Sequence, residues 1–302
     1  MSTPPGNPGR QIKLIAVLGA GTMGRGIAQV AAQDGYYQIV LCDVAREQLT
    51  RAMSAIDRNL TKAIERGKLK TNERDVILGR IRGAARLESA RDADLFIEAV
   101  PEQLALKQET LRAVEQIATQ PFIFATNTSS LSIKEIASGA RHPERVIGMH
   151  FFNPVHIMRL LEIVVSQQTS DETLAAVRDV GLWMRKEVIV VRDVPGFASS
   201  RLGVALGLEA MRMLEQGVAS AKDIDTAMEL GYNHPMGPLR LTDLVGLDIR
   251  LSIAEYLHRA LGSETFRPPD ILRRMVAEGK LGKKSGEGFY KWNEEGATER
   301  RQ

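Results

Sequence analysis

The sequence of 302 residues lacks features that several protein classes require. Its single cysteine, Cys42, cannot form an internal disulfide, which favours a reducing, cytoplasmic environment. Aromatic residues make up only 5%, too few to suggest a stacking platform for single-stranded nucleic acid. The net charge is only +3 and no block of five like charges occurs, so bulk nucleic-acid binding is not expected. No apolar run approaches the roughly 20 residues that span a bilayer, so neither a signal peptide nor a membrane anchor is expected.

The hydrophobic and charged content, 44% and 25%, is that of a globular protein, and the length favours about two domains. Up to about residue 192, short β-branched runs alternate with segments of helical period, which predicts an α/β fold with a doubly wound parallel sheet. The predicted strands are residues 13–18, 38–42, 93–99, 122–126, 145–149, 160–165 and 187–191. Beyond residue 193 only helices are predicted, at 202–215, 222–230, 239–261 and 269–278. The expected domains are therefore residues 1–192 and a smaller, all-α domain of residues 193–302.

The chain between the second and third predicted strands is longer than a simple crossover needs, which indicates an inserted helical hairpin. The first helix of the hairpin is predicted by an apolar stripe at helical spacing: Leu49, Met53, Ile56, Leu60 and Ile64. The second helix is predicted over residues 73–82. Five cations occupy the other faces of the first helix: Arg46, Arg51, Arg58, Lys62 and Arg66. These cations form either an ordinary solvated face or a wall beside a phosphate-bearing substrate.

Two segments of the C-terminal half have structural interpretations. Gly203, Gly207 and Ala210 share one side of a predicted helix, which would pack closely against a helix of the same domain or of a second subunit in a dimer. The Gly- and Lys-rich segment 282–290 does not follow a strand, so it is predicted to be a docking turn for the C-terminal tail rather than a phosphate loop.

A glycine-rich motif, residues 19–24, joins the first strand to the following helix and matches G-x-G-x-x-G. Gly19 permits the tight turn, Gly21 lets the backbone approach a pyrophosphate, and Gly24 lets helix and strand pack closely. With Thr22 and Met23 between them, these residues place free helix amides beside the phosphates. The motif predicts a Rossmann-like, dinucleotide-binding domain.

Asp43 ends the second predicted strand, where a carboxylate accepts hydrogen bonds from ribose hydroxyls and repels a 2′-phosphate. This position favours NAD over NADP, although Arg46 three residues later keeps NADP open. The alternative is that Asp43 is simply an acidic residue before a helix.

Three polar segments follow or interrupt the later strands: residues 127–130, residues 150–154 and Glu162. A carboxylate inside an apolar strand is costly without a donor, and His150 can supply one if the two strands are neighbours. A histidine held by a carboxylate through one ring nitrogen can act as a base through the other. The alternative is an edge strand with Glu162 facing water and His150 bonded to the backbone. No grouping has metal-ligand spacing, so no metal site is predicted.

Taken together, these motifs resemble the L-3-hydroxyacyl-CoA dehydrogenase family over nearly the whole chain. Besides the glycine motif and Asp43, the resemblance rests on residues 98–102 (EAVPE), 127–131 (NTSSL), 148–154 (GMHFFNP), 195–197 (PGF) and 234–238 (HPMGP). It implies hydride transfer between carbon 3 of a short-chain L-3-hydroxyacyl-CoA, such as 3-hydroxybutyryl-CoA, and NAD, in a homodimer.

The resemblance also implies residue roles. His150 would be the general base, Glu162 would orient it, and Ser129 would bind the reacting oxygen. The remaining matched positions are Glu102, Lys107 and Asn127 beside the cofactor, and Asn59 and Arg66 towards coenzyme A. Ser200 stands where the family usually has an asparagine that polarises the substrate oxygen, and Asn153 is a candidate to compensate.

Two other functions remain open from the sequence. A dehydrogenase of free sugar acids, such as L-gulonate, would share the fold and the histidine–glutamate pair without needing the basic helix. A non-catalytic nucleotide-binding structural protein would keep the glycine motif only. Apparent completeness of the set Ser129, His150 and Glu162 argues against the second alternative.

Overall fold

An eight-stranded sheet forms the first part of the computed structural model, which describes residues 12–33, 37–293 and 296–299. The expectation of no signal peptide concerns residues 1–10, which lie outside the described residues. The strands are β1 (Leu14–Leu18), β2 (Gln38–Cys42), β3 (Ile81–Ala84), β4 (Leu95–Glu98), β5 (Ile123–Thr126), β6 (Val146–Phe151), β7 (Leu160–Val165) and β8 (Glu187–Arg192). The accompanying helices are α1 (Thr22–Gln33), α2 (Arg46–Glu65), α3 (Thr71–Gly79), α4 (Leu104–Ile117), α5 (Ile133–Ile136) and α6 (Asp171–Trp183).

The strand order is β3-β2-β1-β4-β5-β6-β7-β8, so the direction of winding reverses between β1 and β4. This reversal confirms the doubly wound α/β prediction, and it places the ligand crevice outside the carboxyl ends of β1 and β4. One pair differs from the predicted parallel sheet, since β6 and β7 are antiparallel. The connection between them, residues 152–159, is shorter than the dozen or so residues that a parallel crossover needs.

Strand β3 was not predicted, because residues 73–82 read as one helix. The helix ends at Gly79, and the strand Ile-Arg-Gly-Ala follows at once, pairing in parallel with β2. The strand contains a single β-branched residue, Ile81, and only its two end residues, Ile81 and Ala84, are buried. It therefore shows neither a β-branched run nor an alternation of apolar and polar residues.

The inserted hairpin consists of α2 and α3, as predicted. The apolar stripe of α2 faces the protein, with Leu49, Ile56 and Leu60 buried. All five cations are exposed: Arg46, Arg51, Arg58, Lys62 and Arg66.

The chain divides into two compact units that end at Val194 and begin at Pro195, two residues beyond the predicted boundary. The second unit contains α7 (Ser199–Glu215), α8 (Ala221–Gly231), α9 (Pro238–Val245), α10 (Leu247–Leu261) and α11 (Asp270–Ala277). The predicted helix 239–261 is two helices, because Gly246 between them has a φ of 104° that ends α9. The unit is helical but not all-α, since β9 (Tyr290–Asn293) and β10 (Gly296–Glu299) form an antiparallel hairpin.

The small residues of α7 serve packing within this unit. A Cβ at Gly207 would lie 3.2 Å from Oγ1 of Thr242 on α9, and one at Gly203 would lie 3.6 Å from Nη1 of Arg250 on α10. These contacts support the first of the two interpretations of the small-residue side. Within the described ranges no helix is both long and apolar enough to cross a membrane.

The Gly- and Lys-rich segment is a docking turn, as predicted. The carboxylate of Asp243 on α9 accepts hydrogen bonds from the backbone N–H groups of Phe289 (2.8 Å) and Tyr290 (2.9 Å) and from the indole of Trp292 (2.8 Å). One buried side chain thereby holds the beginning of the C-terminal hairpin.

Candidate active site

The glycine-rich turn has the geometry that a dinucleotide requires. Gly19 has a φ of 98°, and a Cβ there would lie 2.8 Å from the carbonyl oxygen of Ala99, so this position tolerates no side chain. A Cβ at Gly24 would lie 1.7 Å from the Gly19 oxygen, whereas one at Gly21 would meet no described atom within 4 Å. The turn is therefore closed where it packs on the sheet and open at Gly21, above the first amides of α1. These features fit a bound NAD pyrophosphate.

Asp43 is held next to this turn. Its Oδ2 accepts a hydrogen bond from the Ala20 N–H (2.8 Å) and its Oδ1 accepts one from the Ala45 N–H (2.9 Å), immediately before α2. The carboxylate thus joins the glycine turn to the helix start, so both interpretations of Asp43 have structural support. Each oxygen has a second lone pair for a ribose hydroxyl. Burial raises the pKa of neighbouring Cys42 to about 11, so its thiol stays protonated and inert.

His150 and Glu162 occupy paired positions of the antiparallel strands β6 and β7. The histidine Nδ1 lies 2.7 Å from Oε2 of Glu162, and both residues are buried. Strand β7 lies between β6 and β8, so the alternative of an edge-strand glutamate facing water is wrong. Because a carboxylate accepts hydrogen bonds, the proton is assigned to Nδ1, which leaves proton exchange with a substrate to Nε2. The ring of Phe152 packs against the imidazole, with 4.4 Å between the ring centroids.

The loop after β5 contains Asn127 and Ser129. Oδ1 of Asn127 accepts a hydrogen bond from the Phe151 N–H (2.9 Å), which ties the loop to the end of β6 next to His150. Oε1 of Glu102 accepts hydrogen bonds from Oγ1 of Thr128 (2.6 Å) and from the Ser129 N–H (2.9 Å). Ser129 is thereby positioned from both ends of its loop.

Sequence reasoning missed the buried support beneath this loop. Glu98 at the end of β4 is fully buried and accepts hydrogen bonds from the Val100 N–H (2.7 Å) and from Oγ1 of Thr126 (2.6 Å). The ammonium of Lys107, also fully buried, lies 2.8 Å from Glu98 and 3.3 Å from Glu102. Glu98 ends the apolar run Leu-Phe-Ile, so the argument that singled out Glu162 in its strand would have identified it too.

The ion pair between Lys107 and Glu102 lowers the pKa of the Glu102 carboxyl. Burial by itself would raise the pKa of this carboxyl, but the Lys107 ammonium and the hydrogen bonds from Thr128 and Ser129 outweigh it and hold the pKa below its ordinary value. Glu102 is therefore a carboxylate at neutral pH. Lys107 acts on the loop indirectly, because it pairs with the carboxylate that accepts the hydrogen bonds of Thr128 and Ser129.

The remaining predicted residues lie elsewhere. On α2, the amide of Asn59 donates to Oε1 of Gln29 on α1 (3.2 Å), and Arg66 at the end of that helix is exposed. Asn153 is exposed, two residues after β6. Ser200 is the second residue of α7, in the helical unit. Over residues 12–33, 37–293 and 296–299, no three His, Cys, Asp or Glu side chains form a metal-binding group.

A doubly wound sheet with an open glycine turn, an aspartate just beyond its second strand and a buried histidine–glutamate pair is typical of a dinucleotide-dependent dehydrogenase. Models of the NAD-binding and C-terminal domains of 3-hydroxyacyl-CoA dehydrogenase match residues 14–194 and 196–292. The chain belongs to the 3-hydroxyacyl-CoA dehydrogenase family, and NAD is its cofactor.

Individual relatives match over nearly their whole length. The probable 3-hydroxybutyryl-CoA dehydrogenase of Deinococcus radiodurans is 44% identical over 276 residues, which cover 91% of this chain and 99% of that protein. The mitochondrial hydroxyacyl-coenzyme A dehydrogenase of Sus scrofa is 39% identical over 93% of this chain and 91% of its own. The crystal structure of (S)-3-hydroxybutyryl-CoA dehydrogenase from Ralstonia eutropha superposes with a TM-score of 0.91 at 38% identity, covering 94% of this chain and 100% of that one.

Proposed function

We propose that this dehydrogenase interconverts short-chain L-3-hydroxyacyl-CoA and 3-oxoacyl-CoA, with 3-hydroxybutyryl-CoA as the model substrate. The observation that carries the proposal is the buried hydrogen bond between His150 and Glu162, beside the loop that contains Ser129. The relatives named 3-hydroxybutyryl-CoA dehydrogenase support the chain length.

In the oxidation, Nε2 of His150 accepts the proton of the substrate 3-hydroxyl, and Glu162 stabilises the imidazolium that results. The hydroxyl of Ser129 donates a hydrogen bond to the reacting oxygen and keeps it within reach of the base. NAD, when bound, supplies the acceptor for the hydride that leaves carbon 3. In the reverse direction His150 returns the proton, so the same residues serve reduction.

Cofactor contacts are assigned to the glycine turn, with Gly19, Gly21 and Gly24 shaping it and Thr22 and Met23 opening α1. Asp43 receives the ribose hydroxyls, and the nicotinamide half lies towards Glu102, Lys107 and Asn127. The position of Lys107, buried between two carboxylates, makes its contribution indirect. Its ammonium keeps Glu102 ionised and Glu102 holds the loop.

The thioester end is assigned to the exposed cations of α2, with Asn59 and Arg66 among the residues that meet coenzyme A. Because the cations of α2 are exposed, they are available to the phosphate groups of coenzyme A, which a free sugar acid does not have. Asn153 and Ser200 complete the substrate contacts. A serine donates one hydrogen bond from a shorter side chain than asparagine, so we expect Ser200→Asn to keep or raise the rate.

A homodimer in the cytoplasm is part of the proposal. The helical unit exposes large apolar side chains that a second subunit would cover: Leu202, Leu230, Tyr232, Leu241, Leu244 and Ile249. Cys42 is the only cysteine and is buried, which suits a reducing compartment.

Consumption of NADH, followed by its absorbance, tests the proposal. Acetoacetyl-CoA, free acetoacetate and the oxidised form of L-gulonate would each be added to separate samples at equal concentration. Oxidation of NADH with the thioester alone is expected. Oxidation with the sugar acid alone would replace the proposal by a sugar-acid dehydrogenase, and oxidation with none would indicate a non-catalytic nucleotide-binding protein.

A further inference from the structure

Lys186 is a buried lysine at the edge of the sheet where His150 lies. It directly precedes β8, and only 7% of the residue is exposed. Because β6 and β7 are antiparallel whereas β7 and β8 are parallel, the amino end of β8 lies at the same edge of the sheet as the carboxyl end of β6. Lys186 is thereby brought to the chain that leaves β6 just after His150. In an all-parallel sheet it would lie at the opposite edge.

The ammonium of Lys186 holds the β6–β7 connection, residues 152–159, by its backbone. Nζ donates hydrogen bonds to the carbonyl oxygens of Val155 and Met158, the second at 2.8 Å. The turn within the connection uses a different acceptor, since the Met158 N–H donates to the carbonyl of Pro154. Burial of an ammonium is costly, so a lysine at this position is explained by the donors that the two carbonyls require.

The β6–β7 connection also contacts both the cofactor helix and the proposed base. Val155 is buried against α1, where a Cβ at Gly26 would lie 2.9 Å from the Val155 Cβ. Phe152, the first residue of the connection, packs its ring against the imidazole of His150. A shift of the connection would therefore be transmitted to the side chain that exchanges the proton.

The charge of Lys186 acts within the connection as well. Burial and the nearby Lys186 ammonium both lower the pKa of His156 below its ordinary value. His156 therefore reports whether the ammonium lies beside the connection.

We propose that Lys186 is a positioning residue for the proton transfer: by holding the carbonyls of Val155 and Met158, it fixes the connection that keeps Phe152 against His150. The proposal rests on the proposed function, because that function assigns the proton transfer to His150. A displacement of about 1 Å near the reacting groups can cost about 100-fold in rate. Lys186 acts through the backbone of the connection, so its effect is expected in the rate rather than in cofactor affinity.

The test replaces Lys186 by Met, which has a similar length and no hydrogen-bond donor. With acetoacetyl-CoA and NADH, Lys186→Met is expected to lower kcat at least about tenfold, while the Kd of NADH stays within about twofold. A histidine NMR titration should show the pKa of His156 rising towards about 6.5, because the neighbouring positive charge is lost. Thermal unfolding would verify that the variant is folded.

A second variant and a control sharpen the test. Gly26→Ala disturbs the connection from its other side and leaves Lys186 in place. The added methyl group must displace Val155, so kcat should fall while NADH affinity is retained. Lys13→Met is the control, because Lys13 is exposed and directly precedes β1, at the opposite edge of the sheet. No kinetic change is expected in it.

The outcomes separate the inference from the proposed function. A wild type that does not reduce acetoacetyl-CoA contradicts the proposed function, and the inference falls with it. If the wild type is active and a folded Lys186→Met keeps its kcat, Lys186 serves stability alone and the inference is overturned. A loss of NADH affinity as large as the loss of kcat, or an unchanged pKa of His156, would overturn it equally. If Lys186→Met does not fold, the kcat of Gly26→Ala decides.

Discussion

Nδ1 of His150 and Oε2 of Glu162 lie 2.7 Å apart, at directly paired positions of two antiparallel strands in the interior of the sheet. Backbone hydrogen bonds fix both strands, and the imidazole itself is held by its hydrogen bond to Glu162 and by the ring of Phe152. The carboxylate holds the proton on Nδ1 and stabilises an added proton on Nε2. A rigid strand pair therefore sets both the orientation and the tautomer of the proposed base.

Replacing Glu162 by Gln is expected to lower kcat by about 10³-fold, since the amide can donate to Nδ1 and favour the wrong tautomer. NADH affinity, measured by fluorescence titration, should remain within about twofold because neither side chain is assigned to the cofactor. His150→Ala should abolish turnover with the same retention of NADH binding.

A matched control is the pair formed by His142 and Glu144, whose Nδ1 and Oε1 lie 3.1 Å apart at the surface. Glu144→Gln should leave kcat unchanged. A loss of NADH affinity in His150→Ala as large as the loss of activity would contradict the assignment of His150 as the base.

Much of this site followed from residue type and position. A glutamate inside the apolar strand Leu-Leu-Glu-Ile-Val-Val needed a donor, and the structure provides His150. The glycine motif likewise specified its turn, since Gly19 and Gly24 tolerate no Cβ. The isolated glutamate pointed to a hydrogen-bond donor, and the glycines pointed to positions where the backbone is too close for a side chain.

Other features depended on tertiary contacts that local patterns do not encode. Strand β3 has one β-branched residue, and its pairing with β2 decides its conformation. The role of Asp243 is visible only when residues 289–292 reach it from more than 40 positions away. Nothing in the local sequence distinguishes Thr128 from other loop threonines, because its hydrogen bond to Glu102 joins residues 26 positions apart.

Asp43→Asn is expected to weaken NADH binding about tenfold, equivalent to about 1.4 kcal/mol. An amide keeps one acceptor oxygen for the turn but lacks the charge that ribose hydroxyls prefer, and its NH₂ group would face one of the two backbone donors. Isothermal titration of NADH measures the change. Glu47→Gln, at an exposed carboxylate in the first turn of α2, is the control, and equal affinities of Asp43→Asn and wild type would remove Asp43 from the site.

Lys107→Met should lower the free energy of unfolding by about 3–5 kcal/mol, because Glu98 would remain as a buried carboxylate without its cation. Adding Glu98→Gln to the same chain should recover part of the loss, since the uncompensated charge disappears. Urea unfolding of the two single variants and the double variant gives the coupling energy. Strict additivity of the two effects would show that the pair is not coupled.

The depressed pKa of Glu102 has a consequence for acid stability. A carboxyl whose pKa is lower in the folded state contributes stability that is complete above its unfolded pKa, about 4.3, and is lost as the pH falls through the folded pKa. The difference in unfolding free energy between wild type and Glu102→Gln should therefore be constant at neutral pH and shrink below about pH 4. Urea titrations at several pH values test this, with the exposed Glu109→Gln as control; a difference independent of pH would contradict it.

Gly288 and Gly231 offer a matched pair of glycine-to-alanine substitutions with opposite expected signs. A Cβ at Gly288 would lie 2.1 Å from Oδ1 of Asp243, so Gly288→Ala must displace the carboxylate that holds Phe289 and Tyr290. Overpacking of this kind costs about 1–3 kcal/mol. A Cβ at Gly231, the last residue of α8, would meet no described atom within 4 Å, so Gly231→Ala should stabilise the protein by about 0.4–1 kcal/mol. Chemical denaturation of both variants measures the two changes, and a stable Gly288→Ala protein would show that Asp243 does not secure the C-terminal hairpin.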